Sequence, residues 1–85
     1  MTLAERFEEA QKRVKTLPRT PDSDVLLELY ALYKQGTAGD VEGKRPGMLD
    51  IKGRAKYDAW ATRKGTSRYA AMEAYVTLVD RLVGR

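Results

Sequence analysis

Tyrosine and lysine are the chemically distinctive side chains of this 85-residue chain, which contains neither histidine nor cysteine. Histidine is the most frequent general base at neutral pH and a frequent metal ligand, and cysteine is the thiol nucleophile. Without them we expect no catalytic residues, no metal site and no cofactor. Tyrosines and lysines instead suit a surface that is apolar at one end and hydrated at the other. The composition therefore favours non-covalent binding over catalysis.

The positive charge of the chain is concentrated in one segment. The net charge is +4, from 16 basic and 12 acidic residues. Residues 44–68 hold eight basic and two acidic residues, so their local net charge is +6. Such a segment favours an anionic partner, which could be a phosphate-bearing ligand, a nucleic acid or an anionic lipid. The basic residues are Lys44, Arg45, Lys52, Arg54, Lys56, Arg63, Lys64 and Arg68.

Four helices must position these side chains. Apolar spacing predicts helices over about 2–16, 20–35, 49–63 and 67–83, and no strand pattern is present. Thr20 is the expected N-cap of the second helix, with Pro21 at its first position, and Thr66 is the expected N-cap of the fourth. A glycine-rich loop joins the second and third helices. Residues 1–85 are therefore predicted to form a single all-α domain.

The second helix is too apolar for one buried face. One face carries Val25, Leu29 and Leu32; a second carries Leu26, Leu27, Tyr30, Tyr33 and Lys34. Only Asp24, Glu28 and Gln35 define a polar side. Together the apolar arcs are about twice the ≳100° stripe that a surface helix normally buries. Two interpretations remain open: the helix is central and packs on both sides, or its second face lines a groove for an apolar ligand.

The third helix carries a basic stripe beside an aromatic one. Lys52, Lys56 and Arg63 project to one side, and Tyr57 and Trp60 project elsewhere. The stripe is either a solvated face or a phosphate-binding surface. Trp60 is interpreted here as a packing residue, and Met48 and Met72 are interpreted as core residues.

Several blocks of the sequence resemble one known family. They are LYALYKQ at 29–35, GD at 39–40, RPGMLD at 45–50, KGRAKYDAW at 52–60, KGTS at 64–67 and AMEAY at 71–75. Together they resemble the signature of the acyl-CoA-binding protein family, in the right order over essentially the whole chain. The chain departs from the family's usual residues at Gln11, Glu28, Tyr57 and Tyr69.

The resemblance implies a fold, a ligand and a site. The fold would be an up-down-down-up four-helix bundle of the acyl-CoA-binding protein type. The ligand would be a medium- to long-chain fatty acyl-CoA, carried by a cytoplasmic monomer that makes transient contact with membranes or acyl-CoA-using enzymes. The implied contacts are Lys15, Tyr30, Ala31, Leu32, Tyr33, Lys34, Lys52, Lys56 and Tyr75, and Leu26 and Leu27 would line the groove for the acyl chain.

Three other functions compete with this interpretation. A helical nucleic-acid-binding domain is the main alternative, because the sequence pI is about 9.5. It predicts steep salt dependence, whereas the resemblance predicts no nucleic-acid partner. A helix lying on a membrane surface comes next, and an enzyme comes last. The N-terminal residues do not resemble a signal peptide, and no apolar run approaches the roughly 20 residues of a membrane-spanning helix.

Overall fold

Four α-helices make up the ordered framework of the protein. The computed structural model describes residues 1–84, and these residues contain no strand. The helices are α1 (Leu3–Val14), α2 (Ser23–Thr37), α3 (Ile51–Ala61) and α4 (Arg68–Leu82). The all-α prediction is confirmed, and each predicted helix bound lies within three residues of the observed one.

Local hydrogen bonds explain where α1 and α3 begin. Thr2 and Glu5 form a capping box: the Glu5 N–H donates to Thr2 Oγ1 at 3.1 Å and the Thr2 N–H donates to Glu5 Oε1 at 2.9 Å. At α3, the Gly53 N–H donates to Asp50 Oδ1 at 3.0 Å. A Cβ atom at position 53 would collide with the Asp50 carboxylate, so a larger residue there would displace this carboxylate and disturb the cap.

Two predicted N-caps are wrong. Thr20 and Pro21 lie outside α2, because Asp22 is still extended, with ψ 157°, and its carbonyl accepts the first helical hydrogen bond from the Leu26 N–H. At α4 the extended residue is Ser67, whose hydroxyl accepts from the Ala70 N–H at 3.0 Å. Ser67 rather than Thr66 is therefore the cap, since the residue before the first helical position takes that role.

The core is formed by α1, α2 and α4. Both α1 and α2 pack against α4, whereas α3 packs against α2 alone and contributes no buried residue. The helix α2 thus lies between α4 and α3, which accounts for part of its wide apolar surface. The buried hydrophobic residues of the core are Phe7, Ala10, Leu29, Leu32, Ala71, Tyr75, Val76 and Val79.

Gln35 lies in the interior, and its prediction as a polar surface residue is wrong. Its side chain is 0% exposed. Its Nε2 group donates to Asp40 Oδ1 at 2.8 Å and to the Thr66 carbonyl at 2.7 Å. Asp40 Oδ1 also accepts from the Gly65 N–H at 2.9 Å, and this bond, with the one from Gln35, lowers the pKa of the Asp40 carboxyl. The Gln35 Nε2 group therefore ties α2 to the turn before α4, while Gln35 Oε1 is buried without a hydrogen-bond partner in residues 1–84.

The loop between α2 and α3 is held by side chains of α3. Trp60 Nε1 donates to the Gly39 carbonyl at 2.8 Å, and the Tyr57 hydroxyl donates to the Gly43 carbonyl at 2.9 Å. Arg45 forms a bidentate pair with Asp58 at 2.8 and 2.6 Å, which lowers the pKa of the Asp58 carboxyl. The third helix is thus attached to the bundle partly through this loop.

The two methionine predictions have opposite outcomes. Met72 is half-buried against the core, as expected. Met48 is 81% exposed, so the prediction of a core role for it is wrong. Met48 occupies a turn before α3 rather than a helix face, so helical periodicity carries no information about its burial.

Candidate functional site

Two clefts flank α2 and share part of its surface. The first has a volume of about 490 Å³ and lies between α2, the end of α1, the connector after α1 and Tyr75 of α4. The second has a volume of about 260 Å³ and lies between α2 and α3. Leu26 and Tyr30 line both clefts, and Leu26 is 42% exposed. The second apolar face of α2 is therefore the shared wall of two neighbouring clefts.

Lysines of α3 stand on the far side of the second cleft. Lys52 and Lys56 lie one helical turn apart, and both line this cleft. The Lys56 ammonium lies 5.5 Å from the centre of the Tyr30 ring, within range of a cation–π contact. Neither lysine takes part in an ion pair within residues 1–84. Their charges remain available to an anionic group at the mouth of the cleft.

Aromatic rings form one side of the first cleft. Phe7 stacks on Tyr33 with ring centres 6.1 Å apart and meets the edge of Tyr75 at 5.1 Å. Tyr75 is 5% exposed, while Tyr33 is 39% exposed. Burial, and to a smaller extent the neighbouring Tyr33, raises the pKa of Tyr75. Its hydroxyl therefore stays protonated at neutral pH.

Most of the residues implied by the family resemblance line these two clefts. Lys15, Leu26, Tyr30, Tyr33 and Tyr75 line the first cleft. Leu26, Leu27, Tyr30, Lys52 and Lys56 line the second. The structure thus brings together residues of α2, α3 and α4, and the residue that follows α1, around the surface of α2.

Three of the implied contacts lie elsewhere. Leu32 is 2% exposed, belongs to the core cluster and lines neither cleft. Ala31 is 1% exposed and borders a third cleft of about 410 Å³, on another side of α2. The Lys34 ammonium lies 4.8 Å from the centre of the Trp60 ring, and Lys34 lines neither of the two clefts.

The connector after α1 is the part of the site that the sequence did not reveal. Leu17, Arg19, Thr20 and Pro21 line the first cleft together with the shared residues of α2. The helical projection carries no information about a segment outside the helices. The available signal was the pair of prolines at 18 and 21, which makes the connector rigid enough to form a wall.

The basic segment is not a uniform cationic surface. Arg45 is paired with Asp58, and Arg63 contacts Glu28 at 3.4 Å. Arg68 donates to the Ala38 carbonyl at 3.2 Å. Ion pairs or hydrogen bonds thus engage three of its eight basic side chains, which weakens the case for a nucleic-acid-binding surface.

Two kinds of feature are absent from the part of the chain that the structure describes. No helix there has the length and apolar character needed to cross a membrane. No group of three or more acidic side chains in residues 1–84 could hold a metal ion.

Comparison with known proteins identifies the family of this fold and site. Residues 4–79 match the family model described as "Acyl CoA binding protein". The chain is 49% identical to acyl-CoA-binding protein homolog 1 of Caenorhabditis elegans, over 100% of this chain and 96% of that protein. It is 46% identical to the acyl-CoA-binding protein of Saccharomyces cerevisiae, over 98% of this chain and 95% of that protein. The chain belongs to the acyl-CoA-binding protein family.

Solved structures show the same fold. The crystal structure of Oryza sativa acyl-CoA-binding protein 2 superposes with a TM-score of 0.91 at 46% identity, covering 95% of this chain and 88% of that one. The crystal structure of ACBP from Moniliophthora perniciosa gives a TM-score of 0.88 at 37% identity, over 98% of this chain and 81% of that one. The prediction of a four-helix bundle of the acyl-CoA-binding protein type is confirmed.

Proposed function

We propose that this protein binds medium- to long-chain fatty acyl-CoA esters and carries them without chemical change. The observation that carries the proposal is the pair of clefts that share Leu26 and Tyr30, with Lys52 and Lys56 at the rim of the second. An amphiphile with a long apolar tail and a phosphorylated head matches this combination. Membership of the family supports the same ligand.

The second cleft suits the acyl tail. Leu26, Leu27 and Ala55 supply much of the wall of the second cleft. Burying about a dozen methylenes at roughly 0.8 kcal/mol each contributes of order 10 kcal/mol before association costs. Loss of translational and rotational freedom offsets a substantial part of that. Tail length should therefore set most of the affinity.

Basic and aromatic groups suit the head group. In this proposal Lys52 and Lys56 bind phosphate oxygens through charge-assisted hydrogen bonds. The rings of Tyr30 and Tyr33, both at the first cleft, offer faces on which adenine can stack. Lys15 and the protonated hydroxyl of Tyr75 provide further donors in the same cleft. A free fatty acid lacks the phosphates and the adenine base. The basic and aromatic side chains would therefore provide specificity for the thioester of CoA.

The same proposal covers the biological role. We infer a monomeric cytoplasmic carrier that holds a pool of acyl-CoA and exchanges ligand with enzymes that use it. The proposal includes no catalytic step, because the chain lacks histidine and cysteine and the clefts present only binding groups.

A calorimetric titration with palmitoyl-CoA, palmitate and CoA tests the proposal. We expect tight binding of palmitoyl-CoA, much weaker binding of CoA because the tail is absent, and weak binding of palmitate because the phosphates are absent. Affinity should also rise from octanoyl-CoA to palmitoyl-CoA. Equal affinity across chain lengths would rule out the apolar cleft as the site of the tail. Binding of a DNA duplex in preference to palmitoyl-CoA would overturn the proposed function.

A further inference from the structure

Large apolar side chains stand together and exposed just before and at the start of α3. Met48, Leu49 and Ile51 are 81%, 99% and 77% exposed. Met48 and Leu49 are the central residues of a turn closed by a hydrogen bond from the Asp50 N–H to the Gly47 carbonyl at 3.0 Å. We call Met48, Leu49 and Ile51 the apolar tip. Grouped exposed apolar residues of this kind mark interaction surfaces in soluble proteins.

The segment that contains the apolar tip carries a net positive charge. Residues 44–58 contain five basic and two acidic residues, so their net charge is +3. Both acidic side chains are engaged: Asp58 pairs with Arg45 at 2.6 Å, and Asp50 accepts the N–H that caps α3. Lys44 precedes the tip and Lys52 follows it, and neither has an ion-pair partner in the region the structure covers.

We propose that the apolar tip docks on the surface of an anionic phospholipid bilayer. Three aliphatic or thioether side chains would enter the boundary between head groups and acyl chains, while Lys44 and Lys52 contact anionic head groups. Apolar insertion combined with attraction between lysines and anionic lipids is the usual basis of reversible binding at a bilayer surface.

The composition of the tip favours a lipid surface over a protein partner. Centres of protein interfaces are enriched in tryptophan, tyrosine and arginine seated in matching pockets. The tip has none of these, and of the two arginines in residues 44–58, Arg45 is occupied by Asp58. A tight turn also lacks the free strand edge or long helix face that peptide partners recognise.

Docking through the tip would bring the second cleft to the lipid surface. Lys52 lines that cleft and is the residue directly after Ile51 of the tip. This step rests on the proposed function: an acyl-CoA whose tail lies in a bilayer would need to move only a short distance into the cleft. The docking surface itself is independent of the ligand.

Co-sedimentation of the ligand-free protein with vesicles tests the docking. Vesicles of phosphatidylcholine are compared with vesicles of phosphatidylcholine and phosphatidylserine. We expect the double variant Met48→Ser and Leu49→Ser to lower the partition coefficient about tenfold or more, since two apolar side chains no longer leave water. Tyr69→Ser is the matched control, because Tyr69 is 63% exposed on α4 and should not alter partitioning.

A second pair of variants separates the charge contribution. Lys44→Gln should weaken binding severalfold to vesicles that contain phosphatidylserine and leave binding to pure phosphatidylcholine unchanged. Lys12→Gln on α1 removes the same charge away from the tip and should have no effect. Equal losses for both lysines would mean that only net charge matters, which would overturn the specific role of the tip.

The possible results distinguish the docking from the proposed function. Palmitoyl-CoA affinity is measured separately without vesicles, and circular dichroism confirms the helical content of each variant. If the wild-type protein binds palmitoyl-CoA but no vesicles, the docking proposal is wrong and the carrier function stands. If it binds vesicles through the tip but no palmitoyl-CoA, the carrier function is wrong and the docking stands. A tip-dependent dimer that ignores vesicles would assign the tip to protein contact and overturn lipid docking.

Discussion

The Lys56 ammonium and the Tyr30 ring, 5.5 Å apart, connect α3 to α2 across the second cleft. Lys56, like Lys52, brings a positive charge to a cleft that is otherwise largely apolar, and the Tyr30 ring offers a face to the Lys56 ammonium. Tyr30 lines the first cleft as well. The contact therefore links the second cleft, proposed for the acyl tail, with the first cleft, proposed for adenine.

Replacement of Lys56 by alanine tests this contact. We expect Lys56→Ala to weaken palmitoyl-CoA binding by about 1–3 kcal/mol, because a charge-assisted hydrogen bond to phosphate is lost. The helical content should stay unchanged, because Lys56 is exposed and outside the core. Isothermal titration calorimetry gives the affinity, with Lys12→Ala as the control for charge. An unaltered affinity would remove Lys56 from the site.

Two leucines of α2 separate binding from stability. Leu32→Ala should destabilise the protein by about 2–5 kcal/mol, since Leu32 is buried in the core. Leu26→Ala should change stability by less than about 1 kcal/mol, since Leu26 is 42% exposed, yet it should weaken palmitoyl-CoA binding. Urea denaturation and titration measure the two effects. Weaker binding by Leu32→Ala with full stability would instead restore Leu32 as a ligand contact.

The two glutamines provide a matched test of the interior amide. Gln35→Ala should destabilise the protein by about 1–3 kcal/mol, because Asp40 and the Thr66 carbonyl both lose a hydrogen bond. Gln11→Ala is the control, since Gln11 makes one longer bond, 3.3 Å to the Phe7 carbonyl. Chemical denaturation compares the free energies of unfolding. Similar losses for both variants would contradict the special role of Gln35.

Acid should destabilise the protein partly through Asp40. Hydrogen bonds from Gly65 and Gln35 lower the pKa of Asp40 in the folded state, so the folded protein binds fewer protons than the unfolded chain. The resulting stabilisation is complete above the unfolded pKa of about 4 and is lost as pH falls through the folded pKa.

The variant Asp40→Asn measures that contribution. The amide oxygen can still accept both hydrogen bonds but does not titrate, so the loss of stability between pH 7 and pH 3 should be smaller than in the wild type. Glu5 and Asp58 also have lowered pKa values and will maintain the remaining acid dependence. Identical pH profiles for the two proteins would show that Asp40 does not contribute.

Sequence periodicity predicted the helices well because the apolar spacing that marks a helix is a local pattern in the sequence. Phe7 and Ala10 in α1, and Tyr75 and Val79 in α4, recur at helical spacing and are buried. The surplus apolar face of α2 also predicted an unusual surface there. What periodicity could not give was the division of that face between α3 and the clefts, since this depends on how three helices pack.

The errors share one physical cause. The interior position of Gln35 and the exposed position of Met48 are both set by tertiary contacts or turns rather than by helix phase. The same applies to the connector, where Thr20 and Pro21 line the first cleft instead of starting a helix. The family resemblance supplied the lysines and tyrosines, but it could not show that Leu32 is buried in the core of this chain.

Because α3 contributes no buried residue, a ligand in the cleft beside it should add to the stability of this helix. An acyl chain lying against Leu27 and Ala55 would act as the hydrophobic interior that α3 does not possess. Ligand binding and stabilisation of α3 would then be thermodynamically coupled. Saturating ligand should consequently raise the melting temperature and slow amide exchange most strongly in Ile51–Ala61.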